Sequence, residues 1–382
     1  VLFNFLSWRY SRILGTIGWS CSCFCNTSSD VAYCPVLVFF ALADIFSRKN
    51  SELSNRDIFV YLPKDVRDGK DSAAKYPVLY VLDGGSHYLS VAGMVKELSE
   101  FSGNMMIPKM TVVCIPPYKR TNELTPYPIA KNKLMLYTKE TGGADLFTRF
   151  LETDVFNYVA SKYPVSNYRT LVGHSFGGIF ALNILAKHKN LFDNYIVIDP
   201  STWYDDRKFS KQVLDSLSKN NYVGKSLFVG IANTTEIEDT AEVKKQKTLY
   251  SEHERSILAF CTGVRTIKNN GLKFYSKYYP DDDHVSIPTI ATYDGLRTIF
   301  FKNRFSYAAV EAPSFKPSTD IPLFFSTQSK QLGYKIPVPS DVLERCDAIY
   351  KRKKDLKRQK AVRELYAFLY PDEAKKYIEN DN

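Results

Sequence analysis

Short runs of consecutive apolar residues alternate along this chain with longer segments in which apolar residues recur at helical spacing. The short runs predict strands and the longer segments predict helices. Strands are expected at residues 56–62, 78–82, 110–115, 170–172, 195–198, 226–231 and 273–279. Helices are expected at residues 145–162, 178–189, 240–267 and 288–301. Strands that alternate with helices predict the α/β class, with a mostly parallel central sheet and helices on both faces.

The pattern changes beyond residue 305. Pro313, Pro317 and Pro322 predict an irregular arm. Two short helices are expected next, at residues 340–360 and 360–370. The main domain is therefore expected over residues 44–305, and residues 306–382 are expected to form an irregular arm and a short helical appendage.

Residues 1–43 differ in character from the rest of the chain. The run VLVFF at residues 36–40, followed by ALA at residues 41–43, resembles the apolar region and cleavage site of a secretory signal. The run is too short to span a bilayer. Because the first methionine is Met94, an upstream non-native segment is a second interpretation, and a buried strand is a third. A signal predicts a secreted or extracytoplasmic protein, and the other interpretations leave a cytoplasmic one.

The composition is that of a globular protein, since 45% of the 382 residues are hydrophobic and 24% are charged. The formal net charge is +10, and seven basic residues lie together in KRKKDLKRQK at residues 351–360. Neither an aromatic nor a glycine-rich recognition motif accompanies them. We therefore interpret this segment as a solvated helix face and expect no nucleic-acid partner.

The cysteines are unevenly distributed. Four of the seven lie before residue 44, so the sequence does not predict a disulfide framework. The run CSCFC at residues 21–25 lacks the two-residue gap that is usual in zinc knuckles. No metal site is expected.

The segment YRTLVGHSFGGI at residues 168–179 places Ser175 between an expected strand and an expected helix. With Gly173 and Gly177 two positions to either side, it has the pattern of a nucleophile elbow, in which small residues let the backbones pass. Such a turn exposes the serine at the carboxyl edge of the sheet. It also points the Phe176 amide at negative charge that develops on a bound carbonyl oxygen. We predict Ser175 as a nucleophile and the Phe176 amide as an oxyanion donor.

A serine nucleophile needs a neighbouring base, and the chain has five histidines. His284 lies on the expected loop after the last strand, where hydrolases carry their base. His174 lies inside the elbow, which points it away from the hydroxyl, and His188 and His253 lie in helical segments. We predict His284 as the general base.

The acid that orients this base is expected after the strand at residues 226–231. Glu236, in the loop ANTTEIED, is the predicted acid, with Glu238 and Asp239 as alternatives. Orientation of His284 by Asp283 on its own loop, or a dyad with no acid, is also consistent with the sequence.

A second oxyanion donor is expected on the loop DGGSHY, which follows the strand at residues 78–82. The backbone groups of Gly84 and Gly85 are the candidates, and His87 is expected to line the site. A tight turn also accounts for the two glycines, and both interpretations can hold together.

Several blocks of this sequence resemble one known family. The blocks are YPVLYVLDGG at 76–85, RTNELTP at 120–126, GGADLFTRFLE at 142–152, YRTLVGHSFGG at 168–178, IDPSTWYDD at 198–206 and HVSIPTIATYDGLRTIF at 284–300. With these blocks the chain resembles the Putative esterase family, which is related to esterase D and includes siderophore esterases, within the α/β-hydrolase fold.

The resemblance implies a serine esterase that forms an acyl-enzyme on Ser175 with His284 as base, acts on a small-molecule ester and needs no metal or organic cofactor. It also implies that Arg120 holds an anionic or polar part of the substrate and that Trp203 supplies an apolar wall. The other interpretation of Arg120 is a surface ion pair, and that of Trp203 is ordinary core packing. The C-terminal helical segments resemble a truncated repeat.

Two alternatives use the same sequence features. An acyltransferase would use the same residues with an alcohol in place of water as the acceptor. A non-catalytic binding protein would keep the fold without the reaction, although the presence of both Ser175 and His284 argues against it.

Overall fold

The structure is a computed structural model that describes residues 43–46, 56–69, 75–101, 105–130, 140–301 and 304–381. Its strands are β1 (Ala43–Phe46), β2 (Arg56–Tyr61), β3 (Tyr76–Leu82), β4 (Thr111–Ile115), β5 (Val165–His174), β6 (Asn194–Ile198), β7 (Ser226–Ala232) and β8 (Lys273–Tyr279). They form one eight-stranded sheet in the order β1-β2-β4-β3-β5-β6-β7-β8. β2 is antiparallel to both of its neighbours, and the pairs from β4 to β8 are all parallel.

Helices connect the strands and continue beyond the sheet. They are α1 (Lys64–Arg67), α2 (Gly84–Ser99), α3 (Arg120–Glu123), α4 (Ala144–Phe150), α5 (Phe156–Lys162), α6 (Phe176–Lys187), α7 (Lys208–Lys219), α8 (Thr240–Val243), α9 (Leu249–Thr266), α10 (Ile287–Phe300), α11 (Tyr307–Val310), α12 (Pro317–Leu332), α13 (Ser340–Lys353), α14 (Leu356–Leu369) and α15 (Pro371–Asp381). A π-helical turn, Leu151–Val155, joins α4 to α5.

Alternate residues of the central strands enter two hydrophobic cores, one on each face of the sheet. In β3, Val78, Tyr80 and Leu82 belong to one core. Leu79 and Val81 belong to the other. Every residue of β3 is buried, because a parallel strand between two layers of helices has no solvent face. The predicted α/β class, with a mostly parallel sheet covered on both faces, is confirmed.

Each of the predicted strands is present, and several are longer than the apolar run that predicts them. The largest extension is in β5, which is predicted at 170–172 and begins at Val165. Its early residues, VSNYR, do not form an apolar run, but Val165 pairs with Tyr76 of β3. Strand pairing, rather than local hydrophobicity, therefore sets the start of β5.

The helix predicted at residues 240–267 is interrupted. α8 ends at Val243, and α9 begins after Thr248. The Thr248 hydroxyl accepts from the Ser251 amide at 3.1 Å, and the Ser251 hydroxyl accepts from the Thr248 amide at 3.0 Å. This capping box satisfies two backbone amides and sets the first residue of α9.

The segment predicted as an irregular arm contains a regular helix, α12. Pro317 is its first residue, where the missing amide hydrogen costs nothing. Ile321, Phe325 and Leu332 are buried along one side of the helix. This apolar stripe at helical spacing stabilises α12 although Pro322 lies within it.

The helices predicted at 340–360 and 360–370 form as α13 and α14, with the boundary at Asp355 instead of Lys360. The Asp355 side chain caps α14 by accepting from the Arg358 amide at 3.0 Å. A third hydrophobic core, which includes Phe325, Tyr350 and Tyr366, joins α12, α13 and α14. The basic segment is partly ion-paired, since its Arg358 also binds the Asp355 carboxylate.

The signal-like run at residues 36–40 lies outside the described residues. Across the part of the chain that the structure does describe, no helix combines the length and the apolar character needed to cross a bilayer.

The first residue of α2, Gly84, packs very closely against the end of β4. A Cβ added there would lie 2.4 Å from the Ile115 amide nitrogen and 2.5 Å from the Cys114 carbonyl carbon. Both atoms belong to the backbone of the adjacent strand and cannot turn aside. Gly93, on the exposed side of the same helix, would place a Cβ with nothing within 4 Å.

We expect Gly84→Ala to lower the free energy of unfolding by about 1–3 kcal/mol, because the added methyl overpacks a backbone contact. Gly93→Ala is the matched control and should raise that free energy by about 0.5–1 kcal/mol, since alanine is the better helix former. Urea denaturation followed by circular dichroism measures both. Equal effects of the two substitutions would contradict the close approach at Gly84.

Candidate active site

Ser175 lies on the sharp turn between β5 and α6. Its backbone has φ 58° and ψ −115°, which is unusual for a residue with a side chain. The amide of Ser175 donates to the Ile198 carbonyl at 3.0 Å, and the Ser201 amide donates to the Ser175 carbonyl at 3.2 Å. These bonds to residues around the end of β6 hold the strained turn in place.

The two elbow glycines have different surroundings. A Cβ at Gly173 would lie 2.2 Å from the Gly177 carbonyl oxygen, so position 173 requires glycine. A Cβ at Gly177 would meet its nearest neighbour, an Asp83 carboxylate oxygen, at an ordinary 3.5 Å. The steric requirement that the sequence pattern implies is therefore strict at Gly173 and weaker at Gly177.

The hydroxyl of Ser175 faces His284. His284 lies on the loop between β8 and α10, and its Nε2 is 3.2 Å from Ser175 Oγ. The carboxylate of Asp283 shapes this loop by accepting from the amides of Val285 and Ser286, both at 2.8 Å. These two bonds are the main reason that the pKa of Asp283 is lowered.

The other nitrogen of His284 faces Asp199, the residue directly after β6. His284 Nδ1 lies 2.5 Å from Asp199 Oδ2, and the Ala232 amide donates to Oδ1 at 3.0 Å. An ionised carboxylate only accepts, so Nδ1 carries the proton and Nε2 can accept the Ser175 hydroxyl. Burial by itself raises the pKa of Asp199, but its contacts with His253 and His284 hold that pKa well below the usual value.

The structure does not bring the acid predicted from the sequence to His284. Glu236, Glu238 and Asp239 are exposed on the loop after β7, and Asp239 caps α8 by accepting from the Ala241 amide at 2.8 Å. Asp283 holds its own loop. The end of β6 lies nearer the elbow because β6 is the strand adjacent to β5, and Asp199 therefore takes the position against the histidine.

A second histidine also faces Asp199. His253, on α9, has Nε2 at 2.8 Å from Asp199 Oδ2, and its Nδ1 lies 2.9 Å from the indole Nε1 of Trp203. Trp203 is buried with 7% exposure and its ring centre is 6.1 Å from that of Phe176. The structure thus places Trp203 in the core beside the elbow, with its one polar atom bound to His253.

Asp199, His253 and His284 have the spacing of a metal-binding group, with potential ligand atoms that all lie within 4.8 Å of one another. The contact with Trp203 argues against that use. An indole N–H can only donate, so His253 Nδ1 accepts and the proton of the neutral ring is on Nε2. A nitrogen that carries a proton does not ligate a metal.

The loop after β3 and the elbow, which carry the candidate oxyanion donors, lie close together at Asp83 and Gly177. Gly84 and Gly85 begin α2, and Phe176 begins α6. The first amides of a helix have no partner within the helix and point toward anions. Asp83, with φ 54°, turns the chain into α2, and its carboxylate is the group nearest to the Cβ that Gly177 lacks.

Arg120 forms hydrogen bonds to both the loop after β3 and the elbow. Its Nε and Nη2 donate to the two Asp83 carboxylate oxygens at 2.6 and 2.8 Å, and Nη2 also donates to the His174 carbonyl at 3.3 Å. The guanidinium carbon lies 5.8 Å from the centre of the Phe176 ring. Arg120 thus forms an ion pair that links the loop after β3 to the elbow.

Two further histidines lie near the site in neutral form. Burial, and then repulsion from a charged His284, lowers the pKa of His174 to about 3. The His174 and His284 rings are 4.5 Å apart between centres. Burial also lowers the pKa of His87, which lies in the first turn of α2.

Sequence reasoning missed the contacts that Asp199 and His253 make. Asp199 directly follows a predicted strand, which is the signal that could have indicated it. His253 has no local signal, because its position beside Asp199 depends on how α9 packs.

Residues 51–256, more than half of the chain, match the Putative esterase family. A siderophore triacetylfusarinine C esterase of Aspergillus fumigatus is 26% identical over 270 residues, which cover 64% of this chain and 88% of that protein. A ferri-bacillibactin esterase of Bacillus subtilis is 29% identical over 191 residues, which cover 45% of this chain and 64% of that protein.

Among solved structures, an IroE-like serine hydrolase from Shewanella oneidensis is similar to this chain with a TM-score of 0.70 and 25% identity. The similarity covers 85% of this chain and 98% of that one. It extends the likeness beyond the residues that the family match includes. The chain therefore belongs to the Putative esterase family and is a carboxylic ester hydrolase of the α/β-hydrolase fold.

Proposed function

We propose that this protein hydrolyses small-molecule esters through an acyl-enzyme on Ser175, with His284 as the general base and Asp199 as the acid that orients it. The observation that carries the proposal is the continuous line of contacts from Ser175 Oγ to His284 Nε2 at 3.2 Å and from His284 Nδ1 to Asp199 Oδ2 at 2.5 Å. A nucleophile, a base and an orienting acid in this order are the requirements of serine acyl transfer.

In the first half of the reaction, His284 Nε2 takes the proton of the Ser175 hydroxyl while Oγ forms a bond to the ester carbonyl carbon. The carbonyl oxygen becomes an oxyanion. When the carbonyl re-forms, the bond to the alkoxy oxygen breaks, and the proton on Nε2 passes to that leaving oxygen. A water molecule then attacks the acyl carbon while His284 Nε2 takes its proton. The bond from that carbon to Ser175 Oγ breaks, the proton passes from Nε2 to Oγ, and the carboxylic acid leaves.

Charge develops in two places during these steps. The oxyanion would be stabilised by the Phe176 amide and by the amide of Gly84 or Gly85, at the starts of α6 and α2. The His284 imidazolium would be stabilised by the buried, ionised carboxylate of Asp199. His174 stays neutral at the working pH, since its pKa is about 3, and so adds no positive charge beside the imidazolium.

The names of two relatives suggest a substrate class. One is a siderophore triacetylfusarinine C esterase and the other a ferri-bacillibactin esterase. We propose the ester bonds of siderophores as the first substrates to test. Val285, beside His284 in the chain, is a largely exposed apolar side chain on the same loop, which supports a substrate with an apolar part.

We expect a fluorophosphonate probe to label the wild-type protein at Ser175, and Ser175→Ala to lose both the label and the hydrolysis of p-nitrophenyl acetate. Ser201→Ala is the matched control, because the Ser201 hydroxyl lies only 3.3 Å from Ser175 Oγ. It should keep the label on Ser175, as located by peptide mass spectrometry. A label that survives Ser175→Ala and disappears in Ser201→Ala would rule out the assigned nucleophile.

We expect Asp199→Asn to lower kcat for p-nitrophenyl acetate by about ten-thousandfold, because an amide turned toward His284 no longer selects the Nδ1–H form of that histidine. Glu236→Gln should leave kcat unchanged, since Glu236 is exposed. Steady-state kinetics on both folded variants tests the assignment of the acid. The opposite result, a large loss in Glu236→Gln alone, would favour the acid predicted from the sequence.

A further inference from the structure

His253 occupies a place in the site that the proposed reaction does not require. Its Nε2 lies 2.8 Å from the same Asp199 oxygen that His284 contacts at 2.5 Å. The rings of His253 and His284 are nearly perpendicular, with centres 5.0 Å apart. The side chain of His253 is 13% exposed and that of His284 36%, so His253 is the more enclosed of the two. One carboxylate oxygen therefore lies between two imidazoles.

The hydrogen-bond roles of His253 follow from Trp203. The indole N–H of Trp203 lies 2.9 Å from His253 Nδ1 and can only donate, so Nδ1 must be an acceptor. The single proton of the neutral imidazole is then on Nε2, which donates to Asp199. A doubly protonated ring would offer Trp203 no acceptor. Trp203 thus selects the form of His253 that can hold the carboxylate without neutralising it.

The two hydrogen bonds restrict Asp199 more than either would alone. Each carboxylate oxygen has two lone pairs, so Oδ2 can accept from both imidazole N–H groups while Oδ1 accepts from the Ala232 amide. A rotation of the carboxylate would break all three contacts together. The oxygen that His284 needs is in this way kept at one position.

Helix α9, which carries His253, makes several polar contacts with the segment that carries Asp199 and Trp203. The carboxylate of Glu252 pairs with Arg207 through two bonds, at 2.6 and 2.8 Å. The hydroxyls of Thr202 and Ser256 lie 2.7 Å apart. Together with the bond between Trp203 and His253, these contacts join successive turns of α9 to residues 202–207. The placement of His253 is therefore set by several independent bonds.

We propose that His253 is a positioning residue that holds Asp199 as the acceptor for His284, and that Trp203 positions His253 by selecting its Nε2–H tautomer. This inference rests on the proposed function, since it concerns the acid of that reaction. His253 would not touch the substrate. Its effect would pass through Asp199 to the basicity and orientation of His284.

The test compares two substitutions of one residue. His253→Leu removes the N–H donor and approximately keeps the bulk of the side chain. We expect kcat for p-nitrophenyl acetate to fall about 10- to 100-fold with KM nearly unchanged, because the variant loses one hydrogen bond to a charged group and that bond acts only on the chemical step. His253→Gln keeps an amide N–H near the place of Nε2 and should restore most of kcat. His188→Gln, at the end of α6, is the control for loss of an imidazole elsewhere and should have wild-type kcat.

A spectroscopic readout separates positioning from a general loss of structure. In the Ser175→Ala background, the His284 Nδ1–H proton bound to Asp199 should give a strongly downfield proton resonance. We expect His253→Leu to shift or broaden this signal and His253→Gln to keep it. Trp203→Phe, which keeps an aromatic ring and removes the indole donor, should lower kcat without changing KM, and it tests the inference also if His253→Leu does not fold.

Three results would overturn the inference: wild-type kcat in folded His253→Leu, equal losses in His253→Leu and His253→Gln, or wild-type kcat in Trp203→Phe. Fluorophosphonate labelling keeps this test separate from the proposed function. If the wild-type protein is not labelled at Ser175, the proposed function fails. If it is labelled and the His253 and Trp203 variants behave like wild type, the inference alone fails.

Discussion

The buried carboxylate of Asp199 is the constraint on which the site depends. Its side chain has no solvent exposure, and a buried charge is tolerated only when hydrogen bonds replace the water that it has lost. The donors come from three separate parts of the chain: the Ala232 amide at the end of β7, His284 after β8 and His253 on α9. The strand order and the docking of α9 must bring all three to one point.

Three neighbouring imidazoles differ in what they can do because their surroundings differ. The Nε2 atom of His174 is buried without a partner among the described residues, and its pKa of about 3 keeps the ring neutral. His253 has both nitrogens engaged, one by Trp203 and one by Asp199. His284 has one nitrogen on Asp199 and the other toward Ser175. Burial and hydrogen bonding thus leave His284 as the imidazole that faces the serine hydroxyl.

Much of the fold could be predicted from local pattern, since strands buried on both faces appear as apolar runs and helices as apolar residues at helical spacing. The exceptions have identifiable causes. The prolines of α12 led to the prediction of an irregular arm, although Ile321 and Phe325 lie at helical spacing on the buried side of this helix. The start of β5 depends on pairing with β3, and the break before α9 depends on the Thr248 capping box, where a continuous helical pattern gives no sign of a break.

The sequence by itself determined the α/β architecture and indicated Ser175 and His284, because an elbow and a loop after the last strand are local features. It did not determine which carboxylate meets His284. Asp199 and His284 are 85 residues apart in the chain, and the order of the strands in the sheet, with the loops at their ends, decides that Asp199, rather than the exposed Glu236, meets the histidine. Tertiary structure also decided that Arg120 binds Asp83 and that Trp203 binds His253. A side chain's partner depends on which segments pack together, and the residue types and their spacing along one segment do not determine that packing.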